Sequence, residues 1–341
     1  MKERRERIVF TIIISLAVII ILMLVLLIYM KQSDSEGTDR AQSSEADTGN
    51  VPVEKWQESL VSYNGKHYRY NSSLSIYLFL GIDKNGVVET AEDYISGGQS
   101  DAIFLLVADS DTEELSIVSV NRNTMTDVKM YSAEGASLGT YTAQICLQHG
   151  YGDGKEYSCN LTVNAISELF YNLTIDGYMA INMGGIPAMN DAVGGVTVEV
   201  LQDLSYPDVG VELIEGETVT LNGTEAYYYL RGRDKEEFDS ATQRLRRQEQ
   251  FIGCFFSQLH ETAESSTSAM LGVYNAISDY LVTNIMVTDI LEELAGYEYD
   301  ESRLYTVPGE TVMGDQFEEY CVDEDAFYEL ILEVFYEEVE E

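Results

Sequence analysis

Between Tyr227 and Gln248 the chain reads YYYLRGRDKEEFDSATQRLRRQ and gathers Arg231, Arg233, Lys235, Arg244, Arg246 and Arg247. The whole chain holds 20 Lys and Arg against 59 Asp and Glu, so this cluster stands out from an acidic background. The planar guanidinium fork grips phosphate oxygens in pairs. Tyr227 to Leu230 read as a strand end, which places Arg231 and Arg233 two apart on one face of an extended chain. Asp239 and Ser240 read as a helix N-cap, after which Arg244 and Arg247 share a helical face. A strand end and a helix start, each carrying two arginines, would cradle a polyphosphate. The same residues also suit a surface ion-paired with Asp234, Glu236, Glu237 and Asp239. The stretch alone leaves both readings open.

Elements upstream supply the other polar groups. SIYLFLGID, Ser75 to Asp83, is a short apolar run that reads as a buried strand with an acid at its end. Gly97 and Gly98 mark a loop, Ser100-Asp101 follow, and AIFLLVAD reads as a second strand. LSIVSV, Leu115 to Val120, reads as a third, with Asn121-Arg122-Asn123-Thr124 directly after it. Asp83, Asp101 and Arg122 therefore flank strand ends, where α/β sheets collect functional groups. Each acid taken alone also suits a solvated loop. A carboxylate in such a place is expected to contribute little to the core.

Met130 to Gly154 is rich in Gly and Tyr and reads as loop followed by a turn of helix. Helical periods cover Cys159 to Tyr171, Ile186 to Val193, Arg244 to His260, Met270 to Tyr280, Val287 to Leu294 and Glu324 to Tyr336. Strands are read at Gly177 to Met183, Val196 to Val200, Thr218 to Leu221 and Arg303 to Val307. Interleaving of this kind predicts an α/β class, a central mixed sheet flanked by helices.

The 341 residues suffice for a sizeable core. Residues 1–7 carry four basic side chains, and 8–30 are 23 residues without a charge. At ~1.5 Å per residue such a run spans a bilayer, and the leading positive charges place the N-terminus in the cytoplasm. Residues 31–55 are Ser-, Asp-, Glu- and Gly-rich and read as a flexible stalk. An extracellular domain, 56–341, follows. From Gln32 onward 15 basic residues face 57 acidic ones, which excludes nonspecific binding to nucleic acid. Cys146, Cys159, Cys254 and Cys321 match no zinc spacing, and free thiols and disulfides both stay open.

SIYLFLGID, the SD pair, the strand ending in NRNT, DAVGGVTVEV, LNGTEAYYYLRGRD and RLRRQ occur in an order that resembles the LytR-CpsA-Psr proteins. The resemblance covers roughly Leu74 to Phe256. It implies an α/β/α fold with a hydrophobic groove for a polyprenyl tail. It also implies a mouth where arginines and a divalent metal, Mg²⁺ above all, hold a pyrophosphate. The implied activity is extracellular transfer of a phosphoglycan, such as teichoic acid or capsule, from its polyprenyl-pyrophosphate carrier to peptidoglycan.

On that resemblance Asp83 and Asp101 lie beside the metal. Arg122, Arg231 and Arg233 serve catalysis with Asp101, and Arg122, Arg231, Arg233, Arg244, Arg247 and Gln248 hold pyrophosphate. Asp239 matches the acid before the RxxRQ element, two residues further off than is common. Two other positions depart from the family. Asn121-Arg122-Asn123 stands where Pro-Arg-Asp is usual, and Gln144 stands where a Lys is usual. Those departures keep a second reading in view, a non-catalytic exported protein that binds lipid pyrophosphate or wall polymer. His67, His149 and His260 sit in no motif.

Overall fold

The three apolar runs form the middle of a six-stranded mixed sheet. In this computed structural model, which describes residues 60–233, 238–265, 267–290 and 296–339, they are β1 (Leu74–Ile82), β2 (Ser100–Asp109) and β3 (Glu114–Ser119). They pair antiparallel, β2 and β3 through a tight hairpin. β4 (Gly177–Asn182) lies parallel to β1, and β5 (Leu281–Thr283) pairs antiparallel outside it. β6 (Glu298–Thr306) closes the other edge parallel to β3.

Both faces of the sheet are covered, which is why its strands read as continuous apolar runs. Along β2, Phe104, Leu106 and Ala108 enter one core, while Ile103, Leu105 and Val107 enter the other. The helices are α1 (Leu147–Gly150), α2 (Glu156–Leu169), α3 (Ile186–Ala192), α4 (Gly223–Arg231), α5 (Ser240–Ser265), α6 (Thr267–Ile277) and α7 (Glu324–Phe335). The first core packs against α3, α4, α5 and α6, and the second against α2 and α7. Gly194 and Gly195 stop α3, both at positive φ (86° and 93°), and turn the chain into the Thr197–Glu199 strand.

Two local expectations change, and one element is new. Tyr227 to Leu230 are helical, not extended. Asn222 accepts from the backbone of Thr224 and Glu225, and Glu225 returns a bond to the Asn222 amide, a capping box that outweighs the β preference of three tyrosines. The first part of the Gly- and Tyr-rich stretch is a hairpin and not a loop, Met125–Tyr131 with Ser137–Gln144, while the expected turn of helix follows at Leu147–Gly150. A second hairpin, Gly309–Met313 with Glu318–Val322, has no counterpart in the sequence reading. The tail of the expected 287–294 helix falls on residues that are not described, beyond Val287–Asp289.

The expected tail, span and stalk, residues 1–55, lie outside the described residues. Among the described residues no helix is long and apolar enough to cross a membrane. All four cysteines are free, Cys146 and Cys159 buried and Cys321 exposed.

Candidate active site

β1 and β3 run one way and β2 the other, so the end of β1, the start of β2 and the end of β3 share one edge of the sheet. Asp83, Asp101 and Arg122 meet there. α4 delivers Arg231 and Arg233 to the same place, and the first turns of α5 deliver Arg244. The result is a cleft of about 660 Å³ whose walls include Asp83, Asp101, Arg122, Arg231, Arg233 and Arg244. Four arginines against two carboxylates make it locally positive in a strongly acidic chain.

Asp101 is the hub. Its Oδ1 lies 2.6 Å from Arg122 Nη1, and its Oδ2 accepts from Arg244 Nη1 at 2.9 Å. All three side chains are nearly enclosed, at 11%, 15% and 5% exposure. Burial pulls the Arg244 guanidinium down and Asp101 pulls it back up, yet an arginine keeps its charge in any protein. Arg244 Nε and Nη2, and Arg122 Nε, are buried with no hydrogen-bond partner among the described residues. Unpaired buried N–H groups are costly, so three of them beside one cleft fit an anion.

The turn that carries Arg122 is built by its neighbours. Asn121 Oδ1 accepts from the Asn123 amide at 2.9 Å, and the Asn121 carbonyl accepts from Thr124 N–H at 2.9 Å. Arg122 Nη2 also donates to Gln99 Oε1 and to Cys146 Sγ. Burial pushes the Cys146 thiol up, against the pull of Arg122, so it faces the arginine as a neutral thiol.

Arg231 is exposed at the C-terminus of α4. Its Nη1 donates to Tyr227 Oη at 2.7 Å and its guanidinium sits 5.5 Å from the Tyr227 ring. Arg233 donates from Nε to Ser240 Oγ at 3.0 Å, with Nη2 3.8 Å from Glu318. Asp83 is exposed, and its Oδ1 accepts from the Gln99 amide at 2.7 Å.

Arg247, Gln248 and Asp239 sit elsewhere. Arg244 and Arg247 do not act from one face in common. Arg247 is 2% exposed and grips the end of α4, donating to the carbonyls of Tyr229 (2.9 Å) and Gly232 and to Gln202. It thereby fixes the Arg231–Arg233 segment without lining the cleft. Gln248 donates to the Leu230 carbonyl at 3.3 Å and lines an apolar slot instead. Asp239, at φ +60°, accepts from Thr242 and from Thr311 of the second hairpin.

The two family departures touch each other. Gln144 Nε2 donates to Asn123 Oδ1 at 3.0 Å and to the Glu318 carbonyl at 2.8 Å, and neither amide lines the cleft. Gln99 and Glu318 have no part in the sequence reading, and Cys146 and Ser240 enter it only as a cysteine and a helix cap, because none of the four belongs to a phosphate-binding motif. Only Gln99, one residue before the SD pair, carried a positional hint.

Directly beside the cleft the sheet face turns apolar. A slot of about 50 Å³ shares Asp101 and Met183 with the cleft and is walled by Phe79, Phe104, Met189 and Phe251. A second, of about 60 Å³, shares Phe79, Ile181 and Met189 with the first and continues between α5 and α6 to Phe255, Met270 and Val273. Charge at one end and hydrocarbon at the other suit an amphiphile with an anionic head.

Comparisons with known proteins bear on the family and the fold. The model of the family described as LytR_cpsA_psr matches residues 27–332. A Halalkalibacterium halodurans protein named polyisoprenyl-teichoic acid–peptidoglycan teichoic acid transferase TagU is 27% identical, over 62% of this chain and 62% of its own. The Bacillus licheniformis protein of that name is 25% identical, over 75% of this chain and 79% of its own. The chain thus spans under two thirds of the first of these relatives. The crystal structure of B. subtilis TagV superposes with a TM-score of 0.60 at 20% identity, covering 77% of this chain and 96% of that one, a likeness of fold.

Proposed function

The chain belongs to the LytR-CpsA-Psr family, and from that premise we propose that it is a phosphotransferase acting outside the cell. It moves a phosphoglycan of the teichoic acid or capsule type from a polyprenyl-pyrophosphate carrier to peptidoglycan, anchored in the cell membrane by residues 8–30. One observation carries the reading: the arginine cleft opens onto an apolar slot through Asp101 and Met183, as a pyrophosphate joined to a hydrocarbon tail requires. The names of the two TagU relatives support the substrate class.

In this reading the unpaired N–H groups of Arg122 and Arg244 meet the phosphate oxygens at the cleft floor. Asp101 holds both guanidinium planes in place, so little reorganisation accompanies binding. Arg231, oriented by Tyr227, and Arg233, oriented by Ser240, neutralise charge on the departing polyprenyl phosphate. The apolar slot keeps water from the tail.

Asp83 and Asp101 fit a divalent cation brought in with the substrate. They line one cleft, and the buried Oδ1 of Asp101 has no aligned hydrogen-bond donor among the described residues. Mg²⁺ takes few protein carboxylates and completes its shell with phosphate and water. Bound there, it would neutralise phosphate charge.

The Asn123–Gln144 contact speaks against the non-catalytic alternative, because the departures satisfy each other outside the cleft. The test is transfer by the purified protein from lipid-linked glycan to peptidoglycan fragments, with Mg²⁺ and with chelator. Mg²⁺-dependent transfer is expected. Lipid binding without transfer under both conditions would favour the alternative, and transfer that survives the chelator would remove the metal role.

A further inference from the structure

Transfer needs an acceptor as well as a donor, and the donor reading leaves a neighbouring cleft unused. A second cleft, of about 310 Å³, adjoins the first across Asp83 and Gln99, which line both. Its walls are the Ile95–Gln99 loop on one side and α1 with Tyr151 on the other, with Lys84 between. The loop is held open by specific bonds. Gly97 N–H donates to the Gly150 carbonyl at 3.2 Å, and His149 Nδ1 donates to the Gly98 carbonyl at 2.9 Å. Gly98 stands at φ +88°, and a Cβ there would lie 2.8 Å from Ile82. The cleft is therefore formed before any ligand arrives.

Its chemistry differs from that of the arginine cleft. One lysine and one carboxylate line it, so it suits an uncharged, hydroxyl-rich ligand over a polyanion. Ile95, which lines it, is 54% exposed, and its chain neighbour Tyr94 is 40% exposed. The rings of Tyr94, Tyr131 and Tyr157 cluster together, with centroids 6.2 to 6.3 Å apart. Tyr157 Oη donates to Tyr131 Oη at 3.1 Å, leaving ring faces rather than hydroxyls as the common feature of the patch. Exposed apolar patches rimmed by polar groups mark interaction sites. Sugar rings present C–H faces and hydroxyl edges, which match phenol rings with apolar bodies and polar tips.

We propose that this cleft and the tyrosine cluster form the acceptor subsite, occupied by a peptidoglycan glycan strand. The strand crosses Tyr94, Tyr131 and Tyr157, passes Ile95 and Tyr151, and brings a sugar hydroxyl to the Asp83 side of the pyrophosphate. The inference rests on the transfer proposed above. The acceptor oxygen forms a bond to the glycan-side phosphorus, and the bridging P–O bond breaks. Polyprenyl phosphate leaves with the electron pair, and the hydroxyl proton passes to solvent through the open cleft.

The probe is a soluble peptidoglycan glycan oligomer. It is titrated without donor into the wild type, Tyr151→Ala and the double variant Tyr94→Ala/Tyr157→Ala, each checked for folding by thermal unfolding. The expected result is at least ten-fold weaker oligomer binding in both variants. Acceptor KM should rise by the same factor, with kcat and donor affinity within two-fold and Tyr94→Trp close to wild type. Oligomer binding and acceptor KM within two-fold of wild type would overturn the proposal. So would an equal loss of donor affinity, or a preference for apolar peptides over the oligomer. A wild type that binds the oligomer through these tyrosines but transfers nothing to it contradicts the transfer reading, and the titration then decides the subsite alone.

Discussion

Asp101 sits between two buried guanidinium groups, and its removal exposes each of them to a charge it cannot share. Read from the sequence, a carboxylate at a strand end contributes little to the core. In the fold it is the counterion of Arg122 and Arg244, and breaking a buried ion pair costs roughly 3–5 kcal/mol. Asp101→Asn should therefore lower stability to urea by an amount on that scale as well as abolish transfer. Inorganic pyrophosphate should restore stability to the variant more than it stabilises the wild type, because an anion replaces the lost charge. Equal urea midpoints for variant and wild type would show that the arginines do not depend on Asp101. The arginines themselves divide by role. Arg231 is exposed and Arg247 enclosed, although both stand in motifs read as phosphate ligands. Arg231→Ala should weaken binding of a polyprenyl pyrophosphate by roughly 1.5–3 kcal/mol, the scale of a charge-assisted hydrogen bond, with an unchanged unfolding midpoint. Arg247→Met should do the reverse at first order. It leaves the carbonyls of Tyr229 and Gly232 unsatisfied and should cost roughly 3 kcal/mol of stability. Paired urea titrations and binding isotherms of the two variants check the division.

The elements that carry these residues were legible wherever pattern alone decides. The runs at Ser75, Ala102 and Leu115 became β1, β2 and β3 because a doubly covered sheet leaves no polar face to break them. α4 was misread because three consecutive tyrosines speak for a strand, while the Asn222–Glu225 capping box speaks for a helix. Both hairpins were missed, since their strands bury few residues and show weak alternation. The second hairpin matters to the site, as Glu318 accepts from the Asp239 amide at 2.9 Å and stands beside Arg233. The contact between α1 and the 95–99 loop was not legible for another reason: it depends on His149, which belongs to no motif. Burial lowers His149 from its ordinary 6.5 to about 4, and the Gly98 carbonyl opposes that only in part. The sign follows from proton counting. Between about pH 6.5 and 4 the unfolded chain binds a proton that the folded chain refuses. Stability is therefore complete above 6.5 and falls as the pH drops towards 4, by roughly 3 kcal/mol in all. His149→Asn should be less stable than wild type at pH 7, and the difference between the two should shrink by that amount at pH 4. Urea unfolding of both proteins at the two pH values measures it, and a constant difference would mean that folding does not lower the His149 pKa.

At the scale of the molecule, strand direction brings the chemistry together. Antiparallel β1, β2 and β3 put one acid, a second acid and an arginine at the same sheet edge, and β4, parallel to β1, ends there with Asn182 and Met183. One face of that sheet packs on α3, α5 and α6 less completely than the other packs on α2 and α7, and the slots lie on the looser side. The head and tail of a bound lipid would thus be read by different layers, the head by the sheet edge and the tail by the gap between sheet and helices. That separation is testable with one residue. Met189 is 4% exposed, belongs to α3 and lines both slots, but it does not line the arginine cleft. Met189→Trp fills the passage with a larger, stiffer side chain at a cost of about 1–3 kcal/mol of overpacking, which the core should bear. Affinity for a long-chain polyprenyl pyrophosphate should fall at least ten-fold, while affinity for inorganic pyrophosphate stays within two-fold. Phe79→Ala widens the same passage and should leave the long-chain ligand bound. Calorimetric titration of the three proteins with both ligands checks the pattern. A parallel loss of both ligands in Met189→Trp would place the tail somewhere other than between β1 and α3.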